Sequence, residues 1–391
     1  MRSASKSNRR PIAGAADLRS LALQAALVLG IVALAWFLID TTLANLRARG
    51  ITTGFAFLFR PINMPIAHSW LEFVPGIHTY ARALLIGILN TLTVSFIVIV
   101  AATVAGTLIG IARLSPNWLL ARVCGAYVEM IRNVPVLLQL VFWYQMLLQL
   151  PSPRNAITVV EGLYISNRGI RYPTLIEAQG GGLALGAFAL GCAVLVALVY
   201  LRNRFGSERL KSRSFLPAGV LLLAIGPAAV LYLSGTRISP DVPELRGFNF
   251  VGGSSLAPEL SALVIGLSIY ASAFVAEIVR AGILGVPKGQ WEAAESLGLS
   301  RVKTLRKIVL PQALRIIVPP LTSEYLGITK NSSLAVAVGY PDLVAIVNTM
   351  ISDTGQAVEG IAIIMAAFLT ISLAVSALMN WYNRSVALVT R

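Results

Sequence analysis

Apolar runs about as long as a lipid bilayer is thick recur along this chain, and they limit its fold more than any other feature. Crossing ~30 Å of hydrocarbon as an α-helix takes roughly 20 residues. Only helices and closed barrels keep every backbone polar group bonded there. Eight such stretches stand out, at about residues 21–39, 84–111, 123–149, 182–200, 215–233, 256–278, 313–338 and 360–381. Of the 391 residues, 56% are hydrophobic and 13% charged, whereas soluble chains carry about 25% charged residues. A membrane barrel would need short alternating strands, and that pattern is not evident. The expected fold is all-α, a polytopic transmembrane helical bundle of about eight spans.

The net charge of +15 reads as a topology signal rather than a nucleic-acid footprint. With the N-terminus in the cytoplasm, 21 Lys/Arg fall in cytoplasmic segments and nine on the opposite side, while Arg132 and Lys330 lie inside spans. Positive residues stay inside, so an N-in, C-in orientation is expected, with membrane lipid and no nucleic acid around the chain. The first apolar stretch follows a long polar leader and exceeds the usual signal-peptide core of roughly 7–15 residues. It is expected to remain as an anchor. Cys124 and Cys192 fall in or beside spans, and His68 and His78 share one outer loop. Free buried cysteines behave as small apolar residues, so no disulfide and no metal site is implied.

Four segments follow from the spacing of the spans. Residues 1–79 hold a cytoplasmic tail, one span and an outer loop; 80–150 hold the next two spans. Residues 151–255 form an insert with one helical hairpin, and 256–391 hold the remaining three spans and the loop 287–311. Removing the hairpin leaves the topology unchanged, because two spans restore the side.

Ionisable groups inside spans are costly and mark interior paths. Glu129/Arg132 and Glu277/Arg280 are each three residues apart, hence on one helix face. Pro135 removes a backbone donor and loosens its helix. Pro319-Pro320, Glu324, Lys330, Asn331 and Ser332 interrupt the seventh span, and discontinuous helices near the midplane hold solute sites in transporters. Arg132, Glu277, Glu324, Lys330, Asn331 and Ser332 are therefore candidates for a solute path. The same residues also fit interface ion pairs, snorkelling groups or helix-packing contacts.

The loop 287–311 is polar, basic and helix-prone. Gln290–Leu297 reads as a short helix of good formers, stopped by Gly298. Ser300 is placed to cap a second helix, with Val302, Leu305 and Val309 on one face. A bent two-helix surface is expected, exposing Ala293 and Ala294 beside Glu292 and Glu295, on which a soluble partner docks. An amphipathic helix lying on anionic lipid fits the basic residues but not the two glutamates.

The loop has a fixed pattern: Glu292-Ala293-Ala294, three residues, Gly298, nine residues, then Ile308-Val309-Leu310-Pro311. It resembles the EAA signature of bacterial ABC-importer permeases. The runs Arg132-Asn133-Val134-Pro135-Val136-Leu137-Leu138-Gln139-Leu140, Ala276–Gly282 and Lys330–Leu334 resemble its polar amino-acid (histidine/glutamine-type) branch. With the large insert, the layout looks like the Q-type permease subunits of general L-amino acid transporters. The resemblance implies a type I ABC-importer transmembrane domain, with a five-span core, an extra N-terminal span and an inserted hairpin. It implies ATPase coupling through Glu292, Ala293, Ala294, Gly298, Arg301 and Pro311, and it adds Asn133 and Gln139 to the solute-path candidates. It also implies partners: ABC ATPase subunits, a second and different permease subunit, a periplasmic solute-binding protein and an amino-acid substrate, in the bacterial inner membrane. No cofactor is expected on this chain. It lacks the G-x-x-x-x-G-K-[ST] phosphate loop, so ATP and Mg are expected on the ATPases, and the chain itself is not expected to be an enzyme. Two other classes compete. An ion-coupled secondary transporter of small polar solutes would use the same intramembrane charges, but the EAA loop and the lack of an internal repeat oppose it. A membrane-embedded assembly subunit would not need the interrupted seventh span.

Overall fold

The computed structural model describes residues 15–48, 50, 53–176, 191 and 239–386. Apart from Gly191, the expected spans 182–200 and 215–233, and the basic connection between them, lie outside the described residues. The chain divides into two compact units, Met1–Cys124 with Phe274–Arg391, and Gly125–Ala273.

The described fold is mostly helical. Its helices are α1 (Ala15–Ala48), α2 (Tyr80–Ala112), α3 (Trp118–Asn133), α4 (Val136–Leu148), α5 (Pro258–Leu284), α6 (Lys288–Ser296), α7 (Arg301–Thr304), α8 (Leu310–Asn331), α9 (Leu343–Thr354) and α10 (Ala357–Val386). Among the described residues, Arg19–Thr42, Tyr80–Ala112, Pro258–Leu284 and Ala357–Trp381 are long and apolar enough to cross a membrane. Two bent helix pairs raise the number to six if each is one span.

Those two pairs correct the sequence reading. The expected single span over 123–149 is instead α3 and α4, bent by 102° at Pro135, which caps α4. In the seventh span, Pro319 and Pro320 sit inside the unbroken α8. The interruption comes later, where Ser332–Val338 tightens into a 3-10 helix ending at Gly339. The chain then resumes as α9, bent by 53°, in a region expected to be an outer loop. Asp342 starts α9 by accepting the Ala345 N–H on its Oδ1 at 2.8 Å, the usual service of an acidic N-cap.

Strands appear where only loops were expected. They are β1 (Ile157–Val160), β2 (Leu163–Ser166), β3 (Gly169–Tyr172), β4 (Thr174–Ile176), β5 (Ser239–Asp241), β6 (Glu244–Arg246), β7 (Asn249–Val251) and β8 (Ser254–Leu256). One antiparallel sheet has the order β1-β2-β3-β8, and β4-β5 and β6-β7 form two-stranded ribbons. β8 runs directly into α5, so both flanks of the insert are joined in one sheet.

In the first unit, α2 buries Ala83, Ile86, Gly87, Asn90, Val94, Val98, Ala102 and Gly110. The spacing of three and four residues keeps them on one helical face. Small residues on such a face let neighbouring backbones come close, which is how membrane helices pack without a hydrophobic drive. One buried cluster joins Phe57, Ile62, Tyr80, Ala83 and Ile86 to Leu343, Ile346, Val347 and Met350 of α9. Asn90, fully buried, ties α2 to both neighbouring loops by donating to the carbonyls of His68 at 3.0 Å and Pro341 at 2.8 Å.

His68 packs its ring 5.7 Å from those of Trp70 and Tyr340, and burial pushes its pKa below the ordinary 6.5. The fold therefore holds the neutral imidazole, and the unfolded chain takes up the proton first on acidification. This stabilisation is complete above the ordinary His pKa and is lost as the pH falls below it. Thermal unfolding of the solubilised protein at about pH 7.5 and about pH 5.5 tests this. His68→Phe should lose less stability on acidification than the wild type; an equal loss would place the acid sensitivity elsewhere.

Candidate functional site

The loop between α5 and α8 folds into the bent surface that its sequence suggests. Pro287 caps α6 and accepts the Gln290 N–H at 3.0 Å. At its other end the Gly298 N–H donates to the Glu295 carbonyl at 2.8 Å, and the Leu299 N–H to the Ala294 carbonyl at 3.1 Å. Gly298 has φ +70°. Together these make a Schellman turn, the commonest glycine-dependent helix stop.

No atom lies within 4 Å of where a Cβ on Gly298 would sit. The glycine is needed for its backbone conformation and not for room. Gly298→Ala should therefore cost about 1–2 kcal/mol of local strain without a clash. Hydrogen exchange should read this as faster opening of the last turn of α6, with membrane insertion unchanged.

Glu292, Ala293, Glu295 and Ser296 are exposed on α6. Two large apolar side chains flank the bend: Leu297 is 77% exposed and Val302 74%. Val302 was expected on an apolar face with Leu305 and Val309, whereas Leu297 was not singled out from the sequence. Ala294, expected to be exposed, is buried, with 1% of its surface exposed. The expected stripe Val302–Leu305–Val309 is also broken. Leu305–Val309 is a π-turn, whose extra residue per turn rotates Val309 into the core. Trp291 anchors α6 in a cluster with Val275, Val279 and Val286 on one side and Val309, Ala313 and Ile317 on the other. Pro311 stands exposed in the first turn of α8. Of Arg301 the backbone alone is described, at the start of α7.

The other site candidates divide between the two units. Arg132 and Asn133 are exposed at the end of α3, beside the 102° bend. Gln139 is buried, 7% exposed, and its Nε2 donates to the carbonyls of Ile131 and Val134, both at 2.9 Å. Ile131 is the residue whose carbonyl loses its helical partner to Pro135, so Gln139 replaces the missing donor.

In the first unit, Glu277 accepts from Arg280, Nη2 at 2.5 Å and Nε at 3.3 Å, and from Nη1 of Arg113 at the end of α2. Arg113 was not anticipated as a partner. Glu324 and Asn331 are half-buried and Lys330 is exposed in the last turn of α8. Ser332 is buried, and its hydroxyl donates to the Thr329 carbonyl at 2.7 Å. Among the described residues no three His, Cys, Asp or Glu side chains come together as a metal site would need.

The family described as "Binding-protein-dependent transport system inner membrane component" matches residues 102–388. This chain belongs to that family. Membership implies a multi-pass membrane component that works with a binding protein and an ATPase. The chain is 45% identical over 376 residues to the "Putative amino-acid ABC transporter permease protein YhdX" of Escherichia coli (strain K12), covering 96% of this chain and 95% of that one. It is 43% identical over 376 residues to the "General L-amino acid transport system permease protein AapQ" of Rhizobium johnstonii, covering 95% and 93%. A solved structure described as an amino acid ABC transporter with histidines aligns with a TM-score of 0.47 at 22% identity, over 78% of this chain and 95% of that chain.

Proposed function

We propose that this chain is the permease subunit of an ATP-binding-cassette importer that carries L-amino acids across the bacterial inner membrane, driven by separate ATPases that grip α6. The observation carrying this reading is the surface around Gly298. A short helix ends there in a glycine turn, with Glu292, Ala293, Glu295 and Leu297 facing outward. The long relatives named as amino-acid permeases support the substrate class. ATP and Mg would sit on the ATPase subunits. A second permease subunit, different from this one, and a periplasmic solute-binding protein complete the assembly, with both termini of this chain in the cytoplasm.

Trp291 links α6 to the cluster between α5 and α8, so closure of the ATPases would move those spans with the loop. An amino acid presents a carboxylate and an ammonium together. Lys330 would meet the first, and Glu324 or the backbone carbonyls around Asn331 and Ser332 the second. Arg132, Asn133 and Gln139 are the candidates on the bent α3–α4 pair, where Gln139 is engaged in protein contacts.

Reconstitution of the permeases with the cognate ATPase and binding protein, assayed against a panel of amino acids, tests the reading. Binding-protein-stimulated ATP hydrolysis with uptake of L-amino acids is expected. Uptake that follows an ion gradient and ignores ATP would overturn it.

A further inference from the structure

The end of α2 and the end of α5 are joined twice, once by contact and once by charge. A Cβ on Gly110 would lie 2.6 Å from the Ala276 carbonyl oxygen and 3.0 Å from Val279 Cβ, so α5 leaves no room for a side chain at this point of α2. Three residues on, Arg113 reaches Glu277, one residue past Ala276. Arg280, one turn further along α5, holds the other oxygen of the same carboxylate at 2.5 Å. The three side chains are 14% (Arg113), 26% (Glu277) and 30% (Arg280) exposed. A partly desolvated carboxylate between two guanidiniums makes strong, directional bonds, and removing one partner leaves the others uncompensated.

The roles of the two arginines differ. Arg280 is three residues from Glu277 on the same helix, so it fixes the rotamer of the carboxylate. Arg113 comes from another helix and is the cross-link. The same stretch of α5 packs Val275 and Val279 into the cluster that holds Trp291 of α6. One segment of α5 therefore touches the helix that would receive the ATPase and, through Glu277, the helix that starts the permease core.

We propose that Arg113, Glu277 and Arg280 form a clamp that makes α2 move with α6, so that Glu277 and Arg113 are positioning residues for energy coupling and not part of the solute path. The proposal rests on the ATPase-coupled reading given above. The clamp converts a push on α6 into a displacement of α2. Without it, α5 would move alone, and ATP would be hydrolysed without transport.

The test uses the complete transporter in nanodiscs or proteoliposomes and reads amino-acid uptake per ATP hydrolysed. Glu277→Gln and Arg113→Gln should each lower that ratio at least about fivefold, the lower range of coupling between distant sites, while the ATPase still co-purifies. The exchange Arg113→Glu with Glu277→Arg keeps one acid facing two guanidiniums and should restore most of the ratio. Should the glutamine variants fail to insert, Arg113→Lys retains the charge without the planar fork and should lower the ratio in the same direction. Inserted variants that lose uptake and hydrolysis in proportion, or an assembled exchange variant that restores nothing, would overturn the clamp. A wild-type complex whose ATPase answers to no amino acid would instead overturn the permease reading and is told apart by that control.

Discussion

Replacing Glu292 by lysine should leave this chain inserted in the membrane and strip it of its ATPase. Glu292 is exposed on α6. Among the described residues no hydrogen bond is made to its carboxylate; its backbone carbonyl accepts from Ser296 Oγ at 2.9 Å. Folding therefore does not depend on its carboxylate, and a surface change of this kind stays within about 0.5 kcal/mol. Docking is different. A partner surface matched to a negative group meets a positive one, and the like-charge contact costs about 2–5 kcal/mol in a closed interface. Leu297→Asp probes the apolar half of the same surface. Leu297 is 77% exposed, so the chain loses little by its removal, whereas a partner pocket built around a leucine would be left facing a charge. Co-purification of the ATPase from membranes is expected to fall sharply in both variants, and uptake with it. ATPase retained at wild-type levels in both would exclude this surface as the docking site.

The sequence spelled out the helical architecture and the bent loop, because both depend on local patterns: apolar length for the spans, and the Glu292–Gly298 helix-and-stop for the loop. It hid what depends on distant partners. The short strands in 157–176 and 239–256 carry only three or four residues each, too few to register as alternation. Yet Gly162 and Gly247 stand in their turns with positive φ, as hairpins require. Arg113 looked like a topology charge, since nothing local pairs it with Glu277, 164 residues away. The stripe Val302–Leu305–Val309 was misjudged for a local reason of another kind: a helical wheel with 3.6 residues per turn has no place for the π-turn at Leu305–Val309. The signal at Gln139 was available. A buried amide donor stands four residues after the proline and eight after the carbonyl that the proline leaves open.

That arrangement makes the second large effect calculable. Pro135 offers no N–H to the Ile131 carbonyl, and α3 ends with the Val134 carbonyl equally open; Gln139 supplies both bonds at 2.9 Å from a buried position. Gln139→Leu keeps the volume and removes both donors. The Ile131 carbonyl keeps a long bond from the Val134 N–H at 3.4 Å and Val134 is exposed, so the variant loses two net hydrogen bonds of about 0.5–1.5 kcal/mol each, about 1–3 kcal/mol of the roughly 5–15 kcal/mol that holds a folded domain together. Thermal unfolding of the solubilised complex reads this directly. Pro135→Ala in the same chain returns an N–H to the open carbonyl and should recover part of the stability. It also removes the residue that forbids a continuous helix, so α3 and α4 should straighten from their 102° bend, and uptake should stay low while stability rises. If the double variant regains uptake together with stability, the bend is dispensable and Gln139 serves the fold alone. If Gln139→Leu is as stable as the wild type, the two carbonyls find other partners and the account of the bend fails.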